Sequence, residues 1–246
     1  MYPILISIPH ASTLIPEDLR DRLLLSEFDI RNLADLYTDQ IFTVDDAHVL
    51  KCEVSRQVVD PNRFLAVELK FNTALQGIMP YLTQTGAKMY REDLNEELIL
   101  KLLHQYYFPY HRQIDDILQK NNIRFLIDGH SMWSTGAKSL KDAGISRTEI
   151  TLGNRDYTTC TNEQTMFIKK FWEDLGYQVS INDPYKGKAI LKQHCYRDNK
   201  PGIQIELNRK LFLDEKTLEP IPGKIELLHS QFQELVHQIA HNSLIF

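Results

Sequence analysis

Cysteine is scarce in this chain of 246 residues, and the few cysteines are not spaced like a metal cluster. There are three, Cys52, Cys160 and Cys195, and they are far apart in the sequence. Their number and spacing argue against a disulfide framework and fit a reducing compartment. We therefore expect a cytoplasmic protein.

Long hydrophobic runs are also missing. No stretch approaches the roughly 18 apolar residues that a membrane span needs. The start of the chain, Met1-Tyr2-Pro3 followed by the short run 4–8, has neither the basic region nor the apolar length of a secretory signal. We expect no membrane partner.

Neither sign of charge dominates the sequence. It has 28 Lys and Arg against 33 Asp and Glu, a net charge of -5, which gives no reason to expect a nucleic-acid partner. No glycine-rich phosphate loop follows any predicted strand, which argues against a nucleotide-binding enzyme. Hydrophobic residues at 43% are ordinary for a globular protein, and the length suits one domain over residues 1–246.

Short apolar runs alternate with amphipathic segments along the chain. Strands are predicted at 4–8, 49–54, 125–127, 177–181 and 203–207. Helices are predicted from Pro16 and over about 29–42, 92–121 with a kink at Pro109, 162–175 and 223–242. This alternation predicts a largely parallel sheet covered by helices. The irregular stretches 55–91 and 131–149 are typical of functional loops.

Polar clusters follow three of the predicted strands. They are His10, Ser55-Arg56 and Asp128-Gly129-His130. Sites in parallel sheets form at the carboxyl ends of strands, so this shared placement predicts one composite site. Two histidines at equivalent strand ends suit a zinc ion, which needs neutral imidazoles on a rigid scaffold. Asp128 could orient His130, or could simply form a turn beside Gly129.

A catalytic zinc usually takes three protein ligands, so an acidic ligand is expected as well. Asp35 and Asp39 lie one helical turn apart on one face of the predicted helix 29–42. Asp35 interrupts the apolar register of Leu33 and Leu36, which places it near the buried side. The alternative for both aspartates is ordinary solvated helix charge.

A carboxylate in the last predicted strand is a candidate base. Gln204 and Glu206 alternate with apolar residues over 203–207, so they share one face of the strand. A carboxylate on a covered face is costly unless it is paired or used. A general base beside a metal-bound water would be such a use. The alternative is an edge strand with that face in water.

Two arginines, Arg56 and Arg63, lie in one short irregular loop. Guanidinium groups hold carboxylates bidentately, so the loop predicts a small-molecule substrate that carries a carboxylate. The alternative is a salt bridge within the loop, such as Asp60 with Arg63.

These pieces, in this order, resemble the N-formylglutamate amidohydrolase family. The motifs that carry the resemblance are Ile8-Pro9-His10, Asp35-Leu36-Tyr37, Ser55-Arg56-Gln57-Val58-Val59-Asp60-Pro61-Asn62-Arg63, Pro109-Tyr110-His111-Arg112, Asp128-Gly129-His130-Ser131, Tyr185-Lys186-Gly187 and Gln204-Ile205-Glu206-Leu207. They cover the chain from residue 8 to about 215. Each motif alone is weak, but the ordered set is specific, and the arginine-bearing loop is its most distinctive member.

The resemblance implies a fold, a cofactor and an activity. The family is related in fold to zinc carboxypeptidases, which implies a three-layer α/β/α architecture with a mostly parallel mixed sheet and one zinc ion. The implied activity is hydrolysis of an N-acyl amino acid, with N-formyl-L-glutamate as the first choice. The implied roles are His10, Asp35 and His130 as zinc ligands, Glu206 as general base, Asn62 and Arg63 with Arg56 on the substrate carboxylate, and Tyr185 in the pocket or as a lid.

Two departures from the related proteins affect the site. Carboxypeptidases have a glutamate three residues after the first histidine, but this chain has Thr13, so the acidic ligand must come from elsewhere, and we choose Asp35 over Asp39. The family commonly has a second glycine after Gly187, but this chain has Lys188, which alters the pocket. Alternative functions are a zinc deacylase or peptidase-like hydrolase acting on another N-acyl amino acid, and a non-catalytic binding protein.

Overall fold

Six strands form one mixed sheet in a computed structural model that describes residues 1–66, 77–83, 86–136 and 142–243. The strands are β1 (Ile4–Ile8), β2 (His48–Lys51), β3 (Phe125–Met132), β4 (Ile150–Gly153), β5 (Val179–Ile181) and β6 (Gly202–Asn208). Their order across the sheet is β2-β1-β3-β6-β4-β5. The pair β4–β6 is antiparallel and the other neighbours are parallel, which confirms the mostly parallel mixed sheet.

Helices cover both faces of this sheet. They are α1 (Glu17–Arg20), α2 (Glu27–Leu33), α3 (Thr38–Phe42), α4 (Glu96–Leu102), α5 (Phe108–Lys120), α6 (Asn162–Asp174), α7 (Ala189–His194) and α8 (Lys224–His241). Alternate residues of β1 point to opposite faces: Ile4 and Ile6 join an apolar core with α3, α6 and α8, whereas Leu5 joins a second core with α1, α4, α5 and α7. The three-layer α/β/α prediction is confirmed.

The predicted helix over 29–42 is two helices with a break between them. Ala34, at the end of α2, has an extended backbone, and its carbonyl accepts a hydrogen bond from Arg209 Nη2 at 2.6 Å. Asp35 lies in the break, whereas Asp39 lies in α3. The expectation that the two aspartates share one helix face is therefore wrong, because a buried guanidinium from a distant segment satisfies the carbonyl where the helix stops.

The strand predicted to stop at Ile127 continues to Met132. It is longer because β6 runs beside it in parallel register, which pairs His130 with Glu206 and Met132 with Asn208. His130 therefore lies within β3. The prediction that it follows the end of this strand is wrong. Gly129 is needed here, since a Cβ atom would lie 2.6 Å from the Phe42 ring of α3.

The remaining segments agree with the predictions in part. The predicted helix 92–121 is divided by a π-helical turn, Leu103–Tyr107, in which Phe108 N–H bonds to the carbonyl of Leu103, so the helix departs from α geometry before Pro109.

Strand β4 and helix α7 were not predicted. The irregular stretches 55–91 and 131–149 include residues 67–76, 84–85 and 137–141, which lie outside the described residues. No helix among the described residues is long and apolar enough to cross a membrane.

Candidate metal centre and active site

A cavity opens beside the carboxyl ends of β1, β3 and β6. Its lining includes all eight predicted site residues: His10, Asp35, Arg56, Asn62, Arg63, His130, Tyr185 and Glu206. The structure therefore brings these side chains to one place, as the positions of the strand ends indicate. Their arrangement within the cavity shows what each could do.

Two histidines and one aspartate form a compact buried cluster in this cavity. His10 Nδ1 lies 3.1 Å from His130 Nδ1. Asp35 Oδ2 lies 3.2 Å from His130 Nδ1 and 3.5 Å from His10 Nδ1. One donor atom from each of the three residues lies within 4.8 Å of the others, so the group could hold a metal ion.

The second nitrogen of each imidazole is held by another carboxylate. His10 Nε2 lies 2.7 Å from Asp60 Oδ1, and His130 Nε2 lies 2.9 Å from Asp128 Oδ2. A carboxylate accepts an N–H here, so the Nδ1 atom of each ring faces the other histidine and Asp35. Two ring nitrogens this close to each other and to a carboxylate need a positive charge between them, either a proton or a metal ion. The donor set therefore fits a metal ion, with Asp60 and Asp128 fixing the orientation of the ligands.

The charges of the cluster favour a cation as well. Burial opposes charging of His130, yet Asp128 and Asp35 raise its pKa well above the ordinary value. Burial also opposes ionisation of Asp35, but hydrogen bonds from His10 and His130 hold the pKa of Asp35 well below the usual range. Asp35 is therefore an ionised ligand candidate, and Asp39 lies outside the cluster.

Asp35 has a different partner on each oxygen. Oδ2 faces the two histidines, while Oδ1 lies 3.2 Å from Arg209 Nη2. Arg209 also stacks over Trp133, at 4.7 Å from the ring centroid. Arg209 is not among the site residues predicted from the sequence. A signal is present, because this residue follows β6 directly, as His10 comes soon after β1.

Glu206 is buried beside the cluster. It pairs with His130 in the register of β3 and β6, and Gln204 Nε2 donates to its Oε1 at 2.7 Å. The predicted placement of Gln204 and Glu206 on one face is confirmed. Burial raises the pKa of Glu206 to about 7, which suits a group that accepts and returns protons near neutral pH.

The arginine-bearing loop is organised around Asp60. Arg56 Nη2 donates to Asp60 Oδ2 at 2.7 Å, and Arg63 Nε donates to the same oxygen at 3.3 Å. The salt bridge within the loop, weighed as the alternative, is thus present, and both arginines also line the cavity. The sequence does not predict the contact of Asp60 with His10, because within the loop Asp60 is expected only to form a salt bridge with Arg63.

Asn62 ties this loop to the sheet. Its Nδ2 donates to Asp128 Oδ2 at 3.1 Å, and its Oδ1 accepts from Ile190 N–H at 3.0 Å. Both ends of the amide therefore already have partners. The visible role of Asn62 is to position the loop, and its contact with a substrate carboxylate stays a prediction.

Tyr185 lines the cavity and lies beneath a guanidinium group. Arg147 lies over its ring, 5.0 Å from the centroid. Burial and the nearby Glu206 raise the pKa of Tyr185, so its hydroxyl stays protonated and can donate a hydrogen bond. Its predicted place in the pocket agrees with this position.

Known proteins resemble this chain over nearly its whole length. A family model described as N-formylglutamate amidohydrolase matches residues 2–213. A Pseudomonas putida protein named N-formylglutamate deformylase is 26% identical over 226 residues, which cover 87% of this chain and 82% of that one. The matched region contains every residue of the cavity described above.

Two solved structures share the fold. The N-formylglutamate amidohydrolase from Ralstonia eutropha JMP134 has a TM-score of 0.84 at 24% identity, with 97% of this chain and 93% of that chain covered. A gene product from Agrobacterium tumefaciens has a TM-score of 0.71 at 19% identity, with 97% and 92% covered.

Proposed function

The chain belongs to the N-formylglutamate amidohydrolase family, and on that premise we propose that it hydrolyses N-formyl-L-glutamate to L-glutamate and formate. The observation that carries this proposal is the cluster of His10, Asp35 and His130 beside a buried Glu206 in one cavity. A binding protein that merely kept the fold would have no need for a buried carboxylate next to such a cluster.

Zinc is the metal that we propose for the cluster. Two imidazole nitrogens and one carboxylate oxygen are a donor set that zinc prefers, and three protein ligands leave a coordination position open. When bound, the ion would polarise the formyl carbonyl and make water more acidic. Asp60 and Asp128 would keep the two imidazoles turned towards the ion through their hydrogen bonds to Nε2.

Glu206 is the proposed general base and acid. Its carboxylate would take a proton from the water that attacks the formyl carbon. When the C–N bond breaks, it would return that proton to the leaving amino nitrogen, so the products are formate and the free amino acid. A pKa of about 7 allows both transfers at neutral pH.

Arg56 and Arg63 are the proposed sites for the α-carboxylate of the substrate. Both guanidinium groups share Asp60 and line the cavity, so they place positive charge on its wall. A substrate carboxylate would balance that charge. Tyr185, which lines the same pocket, would add a hydrogen bond.

A formate-release assay on zinc-loaded protein tests the proposal. N-formyl-L-glutamate should give formate, and N-acetyl-L-glutamate and N-formimino-L-glutamate should be much poorer substrates. Release of acetate at a comparable rate would instead favour a deacylase of broader range. If protein with stoichiometric zinc hydrolyses none of the three, the chain is not an amidohydrolase of this type.

A further inference from the structure

We propose that Lys188 binds the side-chain carboxylate of the substrate and so selects N-formyl amino acids with an acidic side chain. The inference rests on the proposed function and adds to it the residue that determines specificity. Lys188 follows Gly187, at the position where the family commonly has a second glycine.

Lys188 lies immediately before α7 and lines the same cavity as Arg56, Arg63 and Glu206. Its side chain is half-buried. Among the described residues its ammonium group has no hydrogen bond and no ion pair. The lysine two positions earlier is different, because Lys186 is exposed and bonds to the Asp156 carboxylate at 2.9 Å. Lys188 is therefore a cavity cation that lacks an anionic partner in the described part of the chain.

The other cations of the cavity already have carboxylate partners. Arg56 and Arg63 both bond to Asp60, and Arg209 bonds to Asp35. Glu206 accepts instead from Gln204. Lys188 is thus a cavity cation separate from the two arginines proposed for the α-carboxylate. A cation at a second position of the same cavity fits a ligand with a second carboxylate.

The surroundings make an anion favourable at this lysine. Burial, followed by repulsion from Arg63, lowers the pKa of Lys188 to about 8, and the more weakly acting Asp60 and Glu206 carboxylates do not offset this. A carboxylate placed beside it would oppose both effects and keep the ammonium charged. The ion pair would be partly shielded from water, where such contacts contribute more than at an open surface.

The backbone that presents Lys188 is held in place. Arg155 N–H donates to Lys186 O at 2.7 Å, and Arg155 Nη1 donates to Gly187 O at 3.1 Å. A Cβ atom on Gly153, at the end of β4, would lie 2.7 Å from Gly187 N, so strand and loop are in close contact. A group on such a fixed segment is suited to recognising one part of a ligand.

The test compares two substrates of nearly the same shape, N-formyl-L-glutamate and the neutral N-formyl-L-glutamine, on Lys188→Met. A hydrogen bond between charged groups in a partly buried site contributes roughly 10- to 100-fold. We expect Lys188→Met to lower the ratio of the two kcat/KM values by that factor, mainly through KM for the acidic substrate. Lys186→Met is the matched control and should keep the wild-type ratio, and Lys188→Arg should retain most of it.

Binding gives a second measurement that does not need turnover. Calorimetric titration of the zinc-loaded Glu206→Gln protein should show tighter binding of L-glutamate than of L-glutamine, and adding Lys188→Met should remove the difference. Equal losses for both ligands, or an unchanged ratio, would overturn the role of Lys188. Failure of the proposed function looks different, since no formate would then appear from any substrate with wild-type protein, whatever the binding preference.

Discussion

His10 and His130 face each other through their Nδ1 atoms at 3.1 Å, while a carboxylate holds the Nε2 atom of each ring. Neither ring could turn its other nitrogen to the centre without losing that hydrogen bond. The geometry of this candidate metal site is therefore set by Asp60 and Asp128 as much as by the histidines themselves.

The first prediction concerns Asp60→Asn. An amide is a weaker and differently oriented partner for His10 Nε2–H, so we expect zinc affinity to fall roughly 10- to 100-fold with the fold retained. Competition titration against a zinc indicator measures this. Asp39→Asn, which changes an aspartate of α3 outside the cluster, is the control and should bind zinc normally. Unchanged affinity in Asp60→Asn would mean that His10 does not depend on this carboxylate.

The second prediction concerns the base. Glu206→Gln keeps the shape of the side chain and removes its ability to accept a proton, so kcat should fall by roughly 10²- to 10⁴-fold. Zinc content should stay at one ion per chain, because Glu206 is not one of the three clustered residues. Near-normal turnover with bound zinc would remove Glu206 from the proposed role.

The third prediction concerns Arg209→Met. This change removes the guanidinium that donates to Oδ1 of buried Asp35 and leaves the carbonyl of Ala34 without that donor, so the free energy of unfolding should fall by about 3–5 kcal/mol. Urea unfolding of the metal-free protein measures it. Lys210→Met alters the exposed neighbouring residue and should change stability by less than about 0.5 kcal/mol. Comparable losses in both variants would show that the buried ion pair is not the cause.

The fourth prediction is a loss of stability in mild acid. Burial, with repulsion from His194, lowers the pKa of His111 to about 4. The unfolded chain takes up this proton near pH 6.5 while the folded protein resists it. Stability is therefore complete above pH 6.5 and falls as the pH drops towards 4, by up to about 3 kcal/mol.

Thermal unfolding between pH 7.5 and 5 in the presence of EDTA checks this effect without a contribution from metal release. His111→Gln can still donate to Pro61 O, which His111 Nε2 contacts at 3.0 Å, but it does not titrate. The variant should therefore lose less stability than the wild type over this range. Parallel pH profiles for the two proteins would contradict the prediction.

Much of the fold follows from local sequence patterns. Strand β1 and helices α6 and α8 are marked by apolar residues at the spacing of their own structure, so they are predictable from the sequence. Strand β4 and helix α7 are short, and nothing in their residues separates them from loops. The length of β3 is set by pairing with β6, which no local pattern reveals.

The candidate site, like the fold, is predictable from local sequence patterns only in part. Residue type and position in or just after a predicted strand make His10, His130 and Glu206 candidates, and the structure brings the three into one cavity. The place of Asp35 depends on Arg209, which ends the helix before it and lies far away in the sequence. Long-range contacts of this kind cannot be inferred from one sequence by periodicity.

The parallel register of β3 and β6 places His130 directly beside Glu206. Neighbouring strands lie about 4.8 Å apart, and that spacing is fixed by backbone hydrogen bonds. The separation between a proposed metal ligand and the proposed base is therefore a property of the main chain. Side-chain substitutions elsewhere in the cavity leave that backbone spacing unchanged. A shift of one residue between the strands, by contrast, would move the base by about 3.3 Å and turn it to the other face of the sheet.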